Sequence, residues 1–217
     1  MTEFFQRNLP HYHLPNATYF ITFRLAGSLP VEVWKKLKED YEKEKRILAV
    51  KFSGTELHEE LYKTQKRHFA RFDFLLEKNK ESPRWLAETQ FAEVVQQELH
   101  ALHPEQYNLH AYCIMLNHCH LLIDQQGIPR PKTPINGKHY TSLSHAMHLL
   151  KGRTGYACAK LLGRKGAFWQ HESYDHVVRD EKEFIRILDY IANNPVKAGV
   201  VEKWQDWTYT YINPNLM

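Results

Sequence analysis

Two kinds of hydrophobic pattern alternate along this chain, and each predicts a different kind of element. Aromatic and β-branched residues dominate 17–25, which predicts a buried strand. Charged residues, with apolar ones recurring at helical spacing, fill 31–49, 56–80 and 88–102, which predicts three helices. Because these helices all precede the next strand, we expect a helical insertion over about residues 40–105.

The second half of the chain returns to strand-like segments separated by helices. We predict a strand, a return strand, a loop, a helix, a strand and a last helix at residues 107–115, 118–124, 125–138, 142–162, 173–179 and 180–194. The two residues between the first pair of strands fit a hairpin turn. Asp180 and Glu183 have the spacing of a capping box at the start of the last helix. Pro195 disfavours helical geometry in the residue before it, so we expect this helix to end at Asn194.

This order of elements predicts an α+β fold. We expect a ferredoxin-like antiparallel sheet with helices packed on one face and the helical insertion between the first two strands. The length of 217 residues suits a single domain over 1–217.

Composition and charge exclude several classes of protein. The hydrophobic share of 43% is typical of globular proteins and argues against disorder. The net charge of +4 is compatible with nucleic-acid binding without indicating it. The three cysteines show no paired spacing, which favours a reducing compartment. No signal-like start and no apolar run of about 20 residues is visible, so we expect a soluble cytoplasmic protein.

Two histidines stand two residues apart at the start of the predicted return strand. Side chains alternate along a strand, so His118 and His120 share one face, about 7 Å apart, while Cys119 points to the other. One interpretation is that one imidazole is a half-buried hydrogen-bonding group and the other faces solvent. The other interpretation is that both neutral imidazoles bind one divalent cation.

The last helix offers further candidates for chemistry. Its apolar stripe, Phe184, Ile187, Leu188 and Ile191, would dock on the sheet. Tyr190 and Asn194 lie one turn apart on a neighbouring edge. The amide oxygen could be a third metal ligand and the hydroxyl a nucleophile. The alternative for the tyrosine is an ordinary core aromatic with its hydroxyl at the surface.

Six short segments carry a family resemblance. They are LPHYH at 9–13, ATYFITF at 17–23, MLNHCHLLI at 115–123, FWQHESYDH at 168–176, VRD at 178–180 and LDYIANNPVKAGV at 188–200. Together they resemble the REP-associated tyrosine transposases, which belong to the HUH single-tyrosine superfamily. The resemblance runs from about residue 8 to residue 210, and region 40–90 carries none of the motifs.

The resemblance implies a chemistry and assigns residues to it. His118, His120 and Asn194 match the ligands of a Mg²⁺ or Mn²⁺ ion, and Tyr190 matches the nucleophile. The implied enzyme cleaves single-stranded DNA, leaving a 5′-phosphotyrosine and a free 3′-OH, at DNA hairpins and as a monomer or homodimer. Leu116 departs from the family, which commonly has proline there; this should change the rigidity of the turn and not the chemistry.

Candidate DNA contacts rest on charge and aromatic character. Cationic side chains set affinity for phosphates, and aromatic rings stack on unpaired bases. We expect phosphate contacts from cations on and just after the helix at 142–162, which are Lys151, Arg153, Lys160, Arg164 and Lys165. Further expected contacts are Arg7, His11 and His13 in the leading segment, Trp169 before the strand at 173–179, and His176 within it. The alternatives are an ordinary solvated helix face for the cations and a core hydrogen bond for His176.

Two other classes of function compete with the transposase interpretation. One is a nucleic-acid-binding module without catalysis that uses the ferredoxin-like sheet as a platform. The other is a zinc protein that uses Cys113 and Cys119 with the two histidines. The first has no need of a metal site, and in the second Cys119 would face away from both imidazoles.

Overall fold

A five-stranded antiparallel sheet organises the larger part of the protein. The computed structural model describes residues 3–6, 10–129 and 140–216, with only the backbone for 3–6 and 10–13. The strands in chain order are β1 Glu3–Gln6, β2 Pro10–His13, β3 Thr18–Arg24, β4 Asn108–Ile114, β5 His118–Asp124, β6 Tyr174–Val177 and β7 Thr210–Ile212. The sheet has the order β6-β3-β5-β4-β7, and β1 and β2 form a separate two-stranded hairpin.

Five α-helices accompany the strands. They are α1 Val31–Lys51, α2 Gly54–Lys78, α3 Thr89–Ala101, α4 Ser142–Leu161 and α5 Glu181–Lys197. All five were predicted, as were β3 to β6 and the hairpin between β4 and β5. None of the helices in the described ranges combines the length and the apolarity that a membrane crossing needs.

The chain divides into two compact units. Residues 27–83 form one, a helical hairpin of α1 and α2 around a small apolar cluster that includes Leu37, Phe72 and Leu76. Residues 1–26 and 84–217 form the other, which contains the sheet, α3, α4 and α5. The α+β class is confirmed, whereas a single domain with an insertion at about 40–105 stays a prediction.

The main core lies on one face of the sheet. Tyr19, Ile21 and Phe23 of β3 point to this face, and α3 and α4 cover it. Successive side chains of a strand point to opposite faces, so Phe20 and Thr22 face the other way. The helix α5 crosses that second face, as the contact between the rings of Phe20 and Tyr190 demonstrates. The helices therefore lie on both faces of the sheet, and the expectation of helices on one face is wrong for α5.

The start of α5 agrees with its predicted cap, and its end does not. The Asp180 carboxylate accepts the N–H of Glu183 at 2.7 Å. The Glu183 carboxylate accepts the N–H of Arg179 at 3.1 Å, one residue before the cap. The predicted end at Asn194 is wrong, because the helix continues through Pro195 to Lys197. Proline removes a single hydrogen bond there, and the burial of this turn offsets that loss.

Asp124, at the end of β5, makes stability depend on pH. Partial burial opposes its ionisation, but hydrogen bonds from His110, Asn108 and the Gln126 N–H prevail and hold its pKa below the usual range. A lowered folded-state pKa stabilises the fold above the unfolded value of about 3.9, and this stabilisation is lost as pH falls through the folded value.

We therefore expect Asp124→Asn to flatten the acid dependence of stability. Urea unfolding between about pH 5 and pH 2 should show a smaller fall in unfolding free energy for the variant than for the wild type. The exposed Asp206→Asn serves as the matched control. Parallel curves for wild type and Asp124→Asn would contradict the role given to these hydrogen bonds.

Candidate metal and nucleophile site

His118 and His120 lie side by side on the sheet face that α5 crosses. In the antiparallel register His120 stands opposite Thr22 and His118 opposite Arg24. Both histidines are buried, and their Nε2 atoms are 3.1 Å apart. Two nitrogens bound to one ion at a right angle, each about 2.1 Å from it, are about 3 Å apart. The pair is therefore already spaced as two ligands of one cation, which argues against the solvent-facing alternative.

The remaining ring nitrogens are held by neighbouring oxygens. The Nδ1 of His118 lies 2.7 Å from Asn117 Oδ1, and the Nδ1 of His120 lies 2.8 Å from Thr22 Oγ1. With Nδ1–H donating to these oxygens, each Nε2 has a lone pair available for a metal. Such outer partners fix both the tautomer and the ring orientation of metal-binding histidines.

Tyr190 lies directly against this pair. Its ring centroid is 5.3 Å from that of His120 and 5.8 Å from that of Phe20. The tyrosine is half-buried, because the apolar stripe of α5 packs on the sheet while Tyr190 sits at the edge of that contact. The phenol is thus held beside the histidines and remains partly accessible to a substrate.

Asn194 follows one helical turn later and has an unusual environment. Its side chain is fully buried, and neither Oδ1 nor Nδ2 has a hydrogen-bond partner among the described residues. Buried polar groups in proteins are nearly always paired, and an unpaired one costs about 1–3 kcal/mol. A bound metal ion would satisfy the amide oxygen, and two imidazoles with one amide are donor types that a divalent cation accepts.

The burial of Asn194 predicts that replacing it raises the stability of the protein and weakens its metal binding. We expect Asn194→Leu to raise the free energy of unfolding of the metal-free protein by about 1 kcal/mol, since it removes an unpaired amide at similar volume. The same change should weaken Mn²⁺ binding. Calorimetry of unfolding and of metal titration tests both effects. Asn193→Leu is the control, because Asn193 donates to Asp189 on the outer side of α5. A destabilised Asn194→Leu with unchanged Mn²⁺ affinity would contradict the ligand role.

Two cations beside the site were missed from the sequence. Arg24 is buried opposite His118, and burial lowers its pKa to about 10. The Lys197 ammonium lies 4.8 Å from the centroid of the Tyr190 ring. The sequence offered two signals for these cations. One is a lone arginine within a buried strand, and the other is a lysine two helical turns after the tyrosine. Arg24 brings positive charge beside His118, and Lys197 brings it beside Tyr190.

The predicted DNA contacts whose side chains are described have different surroundings, and their contact with DNA stays a prediction. Arg7 lies outside the described residues, as do the side chains of His11 and His13. Lys151 donates to the carbonyls of Gln170 and His171, so it braces a loop. Of the other predicted cations, Arg153 pairs with Glu98 at 2.9 Å, and Arg164 lies 4.8 Å from the centre of the Trp85 ring. Lys160 and Lys165 are exposed.

His176 and Trp169 both occupy structural positions. His176 lies on the same sheet face as Phe20, and its Nε2 is 3.3 Å from the buried Glu183 carboxylate. Trp169 is 5% exposed, and its indole N–H donates to Thr154 at 2.8 Å. Its burial and this hydrogen bond indicate a structural position, and base stacking by Trp169 stays a prediction.

The zinc alternative fails on geometry. Cys119 stands opposite Phe23 in the core under α3 and α4, on the face away from both imidazoles. Burial raises the pKa of its thiol well above the ordinary value, which opposes the thiolate that zinc requires. The Cys113 thiol contacts the sulfur of Met115 at 3.5 Å.

Comparisons with known proteins identify one group of relatives. No protein-family model matches the chain. A Haemophilus influenzae protein, provisionally named a REP-associated tyrosine transposase, is 31% identical over 106 residues, which cover 46% of this chain and 56% of that protein. An Escherichia coli protein named REP-associated tyrosine transposase is 38% identical over 42 residues, covering 19% of this chain and 26% of that protein. The stretch matched to the Haemophilus protein thus spans about half of that relative.

A solved structure extends the likeness over nearly the whole chain. It is that of a REP-associated tyrosine transposase bound to a REP hairpin, with a TM-score of 0.51 and 18% sequence identity. The superposition covers 97% of this chain and 82% of that chain. At this identity the structural match bears on the fold, and the sequence matches bear on the family. The resemblance expected from the six segments is confirmed.

Proposed function

Because the chain is a relative of the REP-associated tyrosine transposases in sequence and in fold, we propose that it is a metal-dependent enzyme that cuts and rejoins single-stranded DNA. The observation that carries this proposal is the pair of histidine Nε2 atoms 3.1 Å apart, with Tyr190 against one ring. The unpaired amide of Asn194 one turn away supports the third ligand position. Mg²⁺ and Mn²⁺ are the proposed ions, because the family resemblance implies them and because both favour oxygen ligands such as the Asn194 amide and water.

The proposed reaction is a transesterification. The Tyr190 oxygen attacks a backbone phosphorus, a bond from phosphorus to the phenol oxygen forms, and the bond to the 3′ oxygen breaks. The phenol proton is released, and the leaving oxygen takes up a proton as the 3′-OH. One phosphodiester replaces another, so a 3′-OH can later attack the phosphotyrosine and join a strand without ATP.

The side chains of the site have distinct proposed roles. A bound divalent ion would polarise a non-bridging phosphate oxygen and neutralise developing charge. His118, His120 and Asn194 would hold that ion, while Asn117 and Thr22 orient the two imidazoles. Lys197 stabilises the negative charge that develops on the phenol oxygen of Tyr190. Arg24, opposite His118 in the sheet, adds positive charge beside the proposed ion site.

The proposed substrate is DNA that folds back into a hairpin and carries an unpaired flank. The structural neighbour is described as bound to a REP hairpin. In this chain the exposed Lys160 and Lys165 are available for phosphate contacts. Action as a monomer or homodimer, in the cytoplasm, remains the expectation from the sequence.

The test is a covalent-adduct assay. Labelled hairpin DNA from beside the gene is incubated with the protein in Mg²⁺, Mn²⁺ or EDTA, and the products are separated under denaturing conditions. A protein–DNA band that forms with either metal and vanishes in EDTA is the expected result. Hairpin binding without any adduct in either metal would overturn the proposal in favour of the non-catalytic nucleic-acid-binding module.

A further inference from the structure

A second candidate site lies on the other face of the sheet from the histidines. It is a cleft of about 760 Å³ between α4 and the segment that leads into β6, and Ile21 and Asp175 are among its lining residues. Ile21 belongs to the core under α3 and α4, so the sheet separates this cleft from His118 and His120. Clefts of about 300–1,000 Å³ are typical of sites for small organic groups.

Aromatic side chains surround the mouth of the cleft. Tyr156 on α4 is 75% exposed, which is high for a large ring. Tyr140 and His148 form a second platform, with ring centroids 5.2 Å apart. Exposed rings beside a cleft provide stacking surfaces for planar groups, and unpaired nucleobases are the planar groups that a DNA-processing protein meets.

Gly152 on α4 supports the close approach of a ligand. It lies in the interior of a 20-residue helix and lines the cleft. A Cβ added to it would meet no described atom within 4 Å, so packing within the described residues does not require glycine. Glycine in a helix interior is destabilising relative to alanine, and backbone approach by a ligand is one of its established uses.

The polar lining indicates which bases would fit. The Glu172 side chain is 9% exposed, and its carboxylate lies 3.3 Å from the imidazole of the exposed His171. Asp175 adds a second carboxylate to the lining. Carboxylates accept hydrogen bonds from the exocyclic amino group of a base such as cytosine, which thymine lacks. Lys151 braces this wall by donating to Gln170, His171 and Ser173.

We propose that the cleft binds an unpaired nucleobase with an exocyclic amino group, stacked on Tyr156 and read by Glu172. The base belongs to the DNA of the proposed function, on which this inference rests. The cleft would hold a stretch of the strand at a distance from the scissile phosphate and so contribute to the choice of cleavage position.

The first test measures binding of fluorescein-labelled single strands, d(C)8 and d(T)8, by anisotropy. Wild type should prefer d(C)8. Tyr156→Ala and Gly152→Ala should weaken d(C)8 binding by roughly tenfold, and Glu172→Gln should remove the preference over d(T)8. Leu161→Ala, which removes an exposed side chain from the same helix, is the control and should bind as wild type.

Gly152→Ala separates a ligand site from a structural role. We expect this variant to melt a few degrees higher, roughly 2–4 °C, because alanine favours the helix. A variant that is more stable but binds d(C)8 more weakly supports the proposal that the cleft binds a base. A variant that is more stable and binds d(C)8 as wild type does overturns that proposal.

A photocrosslink locates the base directly. In a d(C)8 strand with one 5-iodocytosine, irradiation should attach the strand to Tyr156 or Tyr140, and crosslinks confined to other peptides would overturn the proposal.

The covalent-adduct assay on the same preparations tests the proposed function separately. If the adduct forms and d(C)8 binding is unaffected in Tyr156→Ala and Gly152→Ala, the proposal for the cleft is overturned and the proposed function stands. If crosslinks form in the cleft but no adduct forms, the proposed reaction is overturned and the proposal for the cleft stands.

Discussion

Tyr190→Phe is expected to abolish the covalent protein–DNA adduct while leaving the fold and metal binding intact. The change removes one oxygen from a half-buried ring and keeps its packing against Phe20 and His120. Loss of a nucleophile lowers turnover by several orders of magnitude, so we expect less than about a thousandth of the wild-type adduct. Denaturing gels with labelled hairpin DNA measure it.

Tyr174→Phe is the matched control for this prediction. Tyr174 lies on the neighbouring strand and also contacts Phe20, with ring centroids 6.4 Å apart, but it has no proposed part in the chemistry. It should retain adduct formation. An adduct of wild-type yield in Tyr190→Phe, or its loss in Tyr174→Phe alone, would assign the nucleophile elsewhere.

His118→Ala and His120→Ala are expected to have the second largest effect. Each removes one of the two nitrogens that would bind the ion, so Mn²⁺ affinity should fall by more than about a hundredfold, and adduct formation should fall with it. Thr22→Val removes only the oxygen partner of His120 and should cost about ten- to a hundredfold in affinity. Isothermal titration with Mn²⁺ gives all three values.

His58→Ala controls for histidine loss as such. His58 on α2 is exposed, and its ring lies 2.8 Å from the Gly54 carbonyl oxygen. It should bind Mn²⁺ as wild type does. Equal affinity in His118→Ala and wild type would mean that the imidazole pair is a buried hydrogen-bonded pair and no metal site.

The elements with strong local signals were predictable from the sequence. The strand β3 is rich in aromatic and β-branched residues, and β5 begins at the histidine pair, so strand periodicity alone put His118 and His120 on one face. Asp180 could be assigned as a cap because its chemistry is local. The spacing of Tyr190 and Asn194 likewise depends only on the helical repeat.

Features that depend on tertiary packing were not predictable. The three-residue strand β7 exists because it pairs with β4, and three residues have no measurable periodicity. Periodicity also does not specify which sheet face α5 covers. Trp169 resembled an accessible stacking residue, yet its indole N–H binds Thr154 in the core. The conformational preference before Pro195 was overridden by the burial of the last turn of α5.

The most direct test of the central claim is mass spectrometry of the protein after reaction with hairpin DNA and Mn²⁺, followed by nuclease and protease digestion. The account predicts a nucleotide linked through its 5′ phosphate to Tyr190, on the α5 peptide that also contains Asn194. A nucleotide on another residue, or strand cleavage with every tyrosine peptide unmodified, would contradict the tyrosine mechanism.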